Sequence, residues 1–359
     1  MTDEGWPIGP FTAHGEVLGA LTEPEFSCPV RRASVHWAAK DVFNPAAVVH
    51  DGRLCLLFRG EDTVGRFSGT SRIGLATSDD GLHFEVEPEP VLFPDNGEWQ
   101  AWEWEGGCED PRLVASPDGG YVCLYTAFDG KGSTLFVATS DDLRTWEKHG
   151  PAFAGTPYVR RSSKSGAIVT EARDGRLVAA KVNDQYLMYW GEGTCFAATS
   201  SDLIHWAPIE FDVSRDLYLS HQGDQGWQVH RVPGQPVLRP LLFPRPDRFD
   251  SLLVEPGPPA LKTAHGVVLI YNGAEVIVNG NDYSVSYQPG QALFDLRDPL
   301  SPVARFEEPL RMLGEAENLE GQVDNVRFAQ GLAIFKGSWF LYYGMGDSRI
   351  GCATAPLAG

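Results

Sequence analysis

The sequence contains no long hydrophobic run, which argues against a membrane-spanning helix. No apolar stretch approaches the ~20 residues that cross a bilayer, and the first residues carry neither the basic nor the apolar region of a secretory signal. Extended runs with apolar residues at i, i+3, i+4 and i+7 are also missing, so long amphipathic helices are not expected. These features predict a cytoplasmic chain that does not act at a membrane.

Basic residues are scarce. The chain has 29 Lys and Arg against 48 Asp and Glu, a formal net charge of −19. Such a surface repels phosphate backbones and anionic lipids, so nucleic acid and membrane are not expected as partners. A neutral sugar is compatible with this charge, although solubility alone could account for most of the acidic excess. Nothing in the pattern indicates the oligomeric state.

Clustered cysteines are absent as well. The six cysteines are scattered along 359 residues without a CxxC pair and without histidines at metal-binding spacing. In a chain of this size they are predicted to be reduced thiols in the core rather than disulfides or a zinc site. We therefore expect neither a metal nor another cofactor.

The sequence is instead rich in turn formers and aromatic residues, and one phrase recurs. There are 39 Gly and 26 Pro, and the phrase Ala-Thr-Ser followed by a polar turn and an aromatic residue begins at Ala76, Ala138 and Ala198, with a degenerate copy at Cys352–Pro356. Each copy is typical of a strand that ends in a turn. Repeats of this kind indicate a fold that is built from several similar units.

A second repeated unit, a pair of strands around a turn, precedes each of these phrases. Its five copies are Ala46–Phe58, Arg112–Tyr125, Gly166–Tyr189, Pro259–Tyr271 and Val326–Tyr343. Five units of about four strands predict an all-β fold, a five-bladed β-propeller formed as a single domain by residues 1–359. The predicted blades are residues 44–90, 109–150, 164–210, 253–299 and 323–359, and residues 1–43 are expected to complete the closure of the ring.

Polar residues stand directly before the first strand of every unit. They are Asn44, Asp110, Lys164, Glu255 and Asp324. Because the innermost strand of each blade faces the central axis, these five positions should converge on one funnel, and convergent polar groups in a cleft mark a binding site. Any one of them could instead be an ordinary turn former.

Three motifs in this order resemble glycoside hydrolase family 130: Phe43–Ala46, Gly107–Arg112 and Val254–Pro259. The likeness extends from about Asn44 to the C-terminus. The resemblance implies a five-bladed propeller that acts on β-mannosides. The family contains both phosphorylases and hydrolases. It also implies that an oligosaccharide is the partner of this chain.

Two further segments are similar to the β-1,2-mannosidase branch, Lys164–Glu171 and Tyr189–Glu192. Phosphorylases of the family carry an Arg where this chain reads the segment ending in Glu192, and a His where it has Asn272. The resemblance therefore implies an inverting, exo-acting hydrolase that releases mannose from β-1,2-linked manno-oligosaccharides. The alternatives are a β-mannoside phosphorylase that produces mannose 1-phosphate, and a sugar-binding propeller without catalysis.

Inverting hydrolysis needs a proton donor and a base that activates water. Asp110 is the candidate acid, and burial among other carboxylates is expected to raise its pKa. A turn-forming Asp paired with Arg112 is the alternative. By resemblance, Asp110 protonates the leaving oxygen through the 3-hydroxyl of the sugar, and Glu192 and Glu255 hold the attacking water.

The remaining candidates are predicted to bind sugar hydroxyls, because charged groups strengthen such hydrogen bonds. The set is Asn44, Arg59, Asp62, Arg72, Lys164 and Asp324, with Asn272 and Tyr283 expected near the leaving sugar. Arg59, Asp62 and Arg72 could equally form structural ion pairs. The polar segment Ser220–Trp227 is predicted to be a loop over the funnel.

Overall fold

The computed structural model describes residues 5–211, 218–221, 227–230, 237–280, 282–314 and 317–357. Within these residues it confirms the all-β prediction, because the one α-helix, α1 (Gln100–Glu103), spans a single turn. All six cysteines are buried and form no disulfide bonds, as predicted from their scattered positions. No helix among the described residues is long and apolar enough to cross a membrane.

The strands are short and follow one another along the whole chain. In the first half they are β1 (Phe11–Leu18), β2 (Phe26–Cys28), β3 (Ala33–Val35), β4 (Asp41–His50), β5 (Arg53–Glu61), β6 (Ser71–Ser78), β7 (Glu85–Val86), β8 (Gly107–Ala115), β9 (Tyr121–Phe128), β10 (Ser133–Ser140), β11 (Glu147–Pro151), β12 (Gly166–Arg173), β13 (Arg176–Ala179) and β14 (Lys181–Val182). In the second half they are β15 (Gln185–Trp190), β16 (Phe196–Ser200), β17 (Ala207–Pro208), β18 (Tyr218–His221), β19 (Trp227–His230), β20 (Leu253–Pro256), β21 (Ala260–Thr263), β22 (Gly266–Asn279), β23 (Asp282–Phe294), β24 (Pro302–Arg305), β25 (Met312–Leu313), β26 (Arg327–Phe335), β27 (Ser338–Met345) and β28 (Arg349–Pro356).

Most of these strands pair as antiparallel meanders in chain order. We number these meanders as five sheets, although parallel pairings of β6 with β8, β8 with β13 and β12 with β21 connect neighbouring ones. The first sheet is β4 to β7 and the second is β8 to β11. The third is β12 to β17 and the fourth is β20 to β24. The fifth combines β26 to β28 with β1, which pairs antiparallel with β28 and parallel with β25. The two ends of the chain are thus hydrogen-bonded within one sheet.

The recurring phrase forms the same turn in three sheets. The hydroxyl oxygen of Ser78 accepts a hydrogen bond from the N–H of Gly81 (2.8 Å), and Ser140 and Ser200 accept the equivalent bond from Leu143 and Leu203 (both 2.9 Å). An aspartate two residues after each serine accepts further backbone N–H groups of the same turn. This side-chain capping explains why the phrase recurs, since it satisfies the backbone where a strand ends.

Buried side chains connect the first strands of different sheets. The amide of Gln330 in β26 donates to the carbonyl oxygens of Asn44 in β4 (3.0 Å) and Pro111 in β8 (2.8 Å). Arg112 in β8 donates to the carbonyl of Pro256 in β20 (2.7 Å). Buried polar groups need such partners, so these bonds hold the beginnings of four sheets around one region, where the candidate site lies.

Candidate active site

Two β-bulges direct side chains into the centre of the molecule. The register of β4 against β5 shifts between Phe43 and Ala46, and that of β8 against β9 shifts between Glu109 and Arg112. Asn44 (φ +49°) and Asp110 (φ +47°) both adopt left-handed backbone conformations there, which Asn and Asp tolerate better than most residues. A bulge re-aims the side chain that it contains, and both side chains point into the same cavity.

That cavity has a volume of about 150 Å³ and is lined by both charged and apolar residues. Its lining residues are Phe43, Asn44, Arg59, Asp110, Lys164, Glu192, Leu253, Glu255, Tyr287, Val323, Val326, Phe328 and Asp347. Six of the sequence-predicted residues meet here, including all three catalytic candidates. A larger cavity of about 810 Å³ lies at the turns of the second and third sheets, with no lysine, arginine or histidine in its lining.

Asp110 is held by an amide and a guanidinium rather than by its neighbour Arg112. Its Oδ1 accepts hydrogen bonds from Nδ2 of Asn44 (2.9 Å) and Nη1 of Arg59 (3.2 Å). Arg59 also contacts Glu61 (2.6 Å) and Glu109 (2.9 Å) through Nη2. Both hydrogen bonds to Asp110 from the described residues end on Oδ1. This oxygen is therefore held in place, and Oδ2 is available to contact a substrate.

The expected rise in the pKa of Asp110 is wrong. Burial does raise the pKa of this carboxyl, but the positive charges of Arg59 and Lys164 and the hydrogen bond from Asn44 outweigh burial, and the pKa lies below its ordinary value. Favourable charges and donors stabilise the ionised form. Asp110 is therefore ionised near neutral pH in the substrate-free protein.

Glu255 shows the opposite behaviour. It is 5% exposed, and burial raises its pKa to about 8, with the negative charges of Glu192 and Asp110 adding to the rise. The nearest cation is Nη2 of Arg112, 3.8 Å from Oε1, too far for a good hydrogen bond. Burial therefore dominates over this weak ion pair, and Glu255 is protonated near neutral pH.

Glu192 and Lys164 lie on the same cavity wall. Glu192 is an exposed residue in the turn between β15 and β16. Nζ of Lys164 is 3.8 Å from Oε2 of Glu109. Burial lowers the pKa of this ammonium, but Glu109 and Asp110 raise it above its ordinary value, so Lys164 is charged.

Asp347 lines the cavity although sequence reasoning did not select it. It follows Gly346 in the turn between β27 and β28, and burial raises its pKa to about 6. The predicted fifth residue, Asp324, instead lies in an exposed turn, where its carboxylate accepts a hydrogen bond from the N–H of Gly321 (3.1 Å), and it does not line the cavity. The repeat pointed to the position before the first strand, whereas the fifth sheet contributes a residue from the turn after its second strand.

Asp62 and Arg72 form a buried structural ion pair outside the cavity. Nη1 of Arg72 lies 2.9 Å from Oδ2 of Asp62, and both residues are at most 1% exposed. Oδ1 of Asp62 accepts the backbone N–H groups of Val64, Gly65 and Thr70. The pair thus organises the loop between β5 and β6, which is the structural alternative for these two residues.

The two residues expected near the leaving sugar also lie outside the cavity lining. Asn272 is fully buried and exchanges two hydrogen bonds with the backbone of Ala329 (2.9 and 2.7 Å), which joins the fourth sheet to the fifth. Tyr283 is 78% exposed on the hairpin of β22 and β23. The middle of the predicted loop, residues 222–226, lies outside the described residues, and β18 and β19 on either side pair with each other.

In the described part of the chain, no group of three or more His, Cys, Asp or Glu side chains is arranged to hold a metal ion. The absence of a cofactor stays a prediction. The site is an open arrangement of carboxylates of contrasting pKa beside two cations, and such contrasts mark acid and base chemistry.

Comparison with known proteins decides the family. The family model described as "beta-1,4-mannooligosaccharide phosphorylase" of glycoside hydrolase family 130 matches residues 29–358. The chain belongs to glycoside hydrolase family 130. The resemblance seen in the motifs is thereby confirmed.

The proteins similar to this chain carry two kinds of name, phosphorylase and hydrolase. A 1,2-beta-oligomannan phosphorylase from Thermoanaerobacter sp. (strain X514) is 29% identical over 91% of this chain and 93% of its own length. A solved structure from work on glycoside hydrolases of the family that target β-1,2 mannosidic linkages in Candida mannan is 39% identical, with a TM-score of 0.86, covering 100% of this chain and 98% of that one. A glycosyl hydrolase from Bacteroides ovatus is 40% identical, with a TM-score of 0.85, covering 99% and 95%.

Proposed function

We propose that this family 130 protein is an inverting, exo-acting hydrolase that releases mannose from β-1,2-linked manno-oligosaccharides. The observation that carries the proposal is the pair of glutamates, Glu192 and Glu255, which share one cavity with Asp110. Two carboxylates can orient and deprotonate a water molecule, while the third donates a proton on the other side of the bond.

The charge of the cavity supports water over phosphate as the attacking group. Four carboxylic residues line it, Asp110, Glu192, Glu255 and Asp347, against the two cations Arg59 and Lys164. Both cations have carboxylate partners within 4 Å. A phosphate dianion needs cations that are not already neutralised, and within the described residues this cavity offers none.

In the proposed reaction, water attacks the anomeric carbon as the glycosidic C–O bond breaks. Asp110 supplies a proton to the leaving oxygen through a sugar hydroxyl, and Glu255 accepts a proton from the water with Glu192 beside it. The reactive state therefore needs the proton on Asp110 and an ionised Glu255, the reverse of the substrate-free protein. Sugar hydroxyls that accept hydrogen bonds from Arg59 and Asn44 would weaken the stabilisation of the Asp110 anion and favour this redistribution.

Phosphorolysis is the second candidate, and the names of the curated relatives favour it. The three that match are all phosphorylases of β-1,2-mannosides, 26–29% identical to this chain. In that reaction phosphate replaces water, and mannose 1-phosphate is released. Hydrolysis is preferred here because Glu192 stands on the cavity wall and would repel the phosphate dianion.

We also propose that the five sheets are the blades of a five-bladed β-propeller that forms one domain. Each sheet contributes its first strand to the central region, and the pairing of β1 with β28 would close the ring. The cavity then lies at one mouth of the central channel. An experimental structure that shows another number of blades would contradict this.

The deciding experiment is product analysis with β-1,2-mannobiose, with and without inorganic phosphate. We expect free mannose in both conditions, at a rate that phosphate does not increase, and a sharp fall in that rate for Glu192→Gln. Phosphate-dependent accumulation of mannose 1-phosphate as the main product would establish the second candidate. Absence of either product from β-1,2-mannosides of any length would refute both.

A further inference from the structure

The hairpin formed by β22 and β23 extends well beyond its own sheet. The two strands pair continuously from Val267 with Phe294 to Asn279 with Asp282. The neighbouring strand β20 pairs with β22 only as far as Ala274, and β24 pairs with β23 only at its far end. Beyond Ala274 the hairpin is therefore a two-stranded arm.

The arm has one apolar face and one mostly polar face. Side chains alternate along a strand, and residues directly opposite each other share a face. The register pairs Val276 with Val285 and Val278 with Tyr283, and we call these four residues the apolar face of the arm. The opposite face carries the pairs Glu275 with Ser286 and Ile277 with Ser284.

The apolar face is exposed to solvent in the chain. Val276 is 46% exposed, Val278 is 70% exposed and Tyr283 is 78% exposed. Large apolar side chains gathered on one exposed face mark an interaction site, whereas single exposed ones do not. The question is which partner this face contacts.

The apolar face continues the wall of the candidate active site. Tyr287 lines the cavity and pairs with Ala274, one row before Val276 with Val285. Leu253, which also lines the cavity, pairs with Ala274 from the other side. From Tyr287 outward, every second residue of β23 therefore stays on the cavity side, and Tyr283 lies four residues along, about 13 Å at the usual strand rise.

We propose that the apolar face of the arm binds the distal sugar residues of an oligomannoside whose terminal residue occupies the cavity. This rests on the proposed function and adds chain-length preference to it. Pyranose rings present apolar C–H faces, which pack against aromatic and aliphatic surface, and Tyr283 offers a ring at the far end. A second copy of this chain is a poorer occupant, because four side chains on two strands fall far short of the roughly 800 Å² per partner in a stable interface.

The test compares Tyr283→Ala with wild type on β-1,2-mannobiose and on a β-1,2-mannotetraose. Loss of one ring contact should lower the ratio of kcat/KM for the tetrasaccharide over that for the disaccharide roughly two- to tenfold. Tyr283→Phe, which keeps the ring, should retain the wild-type ratio. Ile277→Ser, on the opposite face of the same arm, is the matched control and should also retain it.

Calorimetric titration of the same sugars into Asp110→Asn, with and without Tyr283→Ala, gives a readout that does not need turnover. An unchanged ratio in Tyr283→Ala, or the same fall in Ile277→Ser, would overturn the inference while the proposed function stands. A change in the oligomeric mass of Tyr283→Ala by light scattering would assign the face to contact between copies. If wild type neither cleaves nor binds any mannoside, the proposed function fails and the inference fails with it.

Discussion

Replacing Glu255 by Gln should stabilise the fold in alkaline solution. The pKa of Glu255 rises from 4.5 to about 8 because the residue is buried. In an unfolded chain the carboxyl ionises near its ordinary pKa, so between pH 4.5 and 8 the folded protein holds a proton that the unfolded chain has released. The contribution of this group to stability is thus fully present below pH 4.5 and is lost as the pH rises through 8.

The size of the effect follows from the same shift. At about 1.4 kcal/mol per pKa unit, the whole difference corresponds to roughly 5 kcal/mol as an upper bound, and partial hydration of the buried carboxylate reduces it to a few kcal/mol. Gln cannot ionise and keeps the shape of the protonated acid. We therefore expect the free energy of unfolding of Glu255→Gln to exceed that of wild type by an amount that grows between pH 5 and 8 and then levels off.

The assay is denaturant unfolding of both proteins at pH 5, 6, 7, 8 and 9, with Glu98→Gln as a control at an exposed surface glutamate. The control should track wild type at every pH. If the difference between Glu255→Gln and wild type stays constant across this range, Glu255 is not protonated in the folded protein near neutral pH, and the contrast in protonation between Asp110 and Glu255 fails.

Three further substitutions test the site. Asp110→Asn should lower kcat by about 10²–10⁴-fold or more with little change in Tm, and a near-normal rate on β-1,2-mannobiose would leave it only a turn residue. Gly344→Ala places a Cβ 2.5 Å from Oδ1 of Asn44 and should displace this side chain from its hydrogen bond with Asp110. Losing that bond should cut kcat/KM roughly ten- to a hundredfold. Gly132→Ala, where a Cβ meets nothing within 4 Å, is the control and should leave kcat/KM unchanged. Arg72→Ala leaves a buried carboxylate unpaired and should lower the free energy of unfolding by about 3–5 kcal/mol; a raised KM at unchanged stability would instead support sugar binding.

Local signals in the sequence were sufficient for the all-β class, and together with the family resemblance they identified six of the residues that line the cavity. The Ala-Thr-Ser phrase predicts strand ends because its serine and aspartate cap the turn within a few residues, and that capping is what the structure contains. Asn44 and Asp110 were found because each stands at the same position of the repeated unit, directly before a proline. Such features depend on neighbouring residues, so a reading along the chain can detect them.

Only the tertiary structure decided which groups are charged and which side chains share a wall. Asp110 is ionised because Arg59, 51 residues away in sequence, lies 3.2 Å from its carboxylate. Glu255 is protonated because burial in the fold disfavours its charged form. Asp347 lines the cavity although it was not predicted to, and Asp62 was predicted to bind sugar but instead pairs with Arg72 outside the cavity. Both outcomes depend on packing between elements, which no local sequence pattern records. The pKa of a buried group depends on distances to charges throughout the fold, and those distances exist only once the chain has folded.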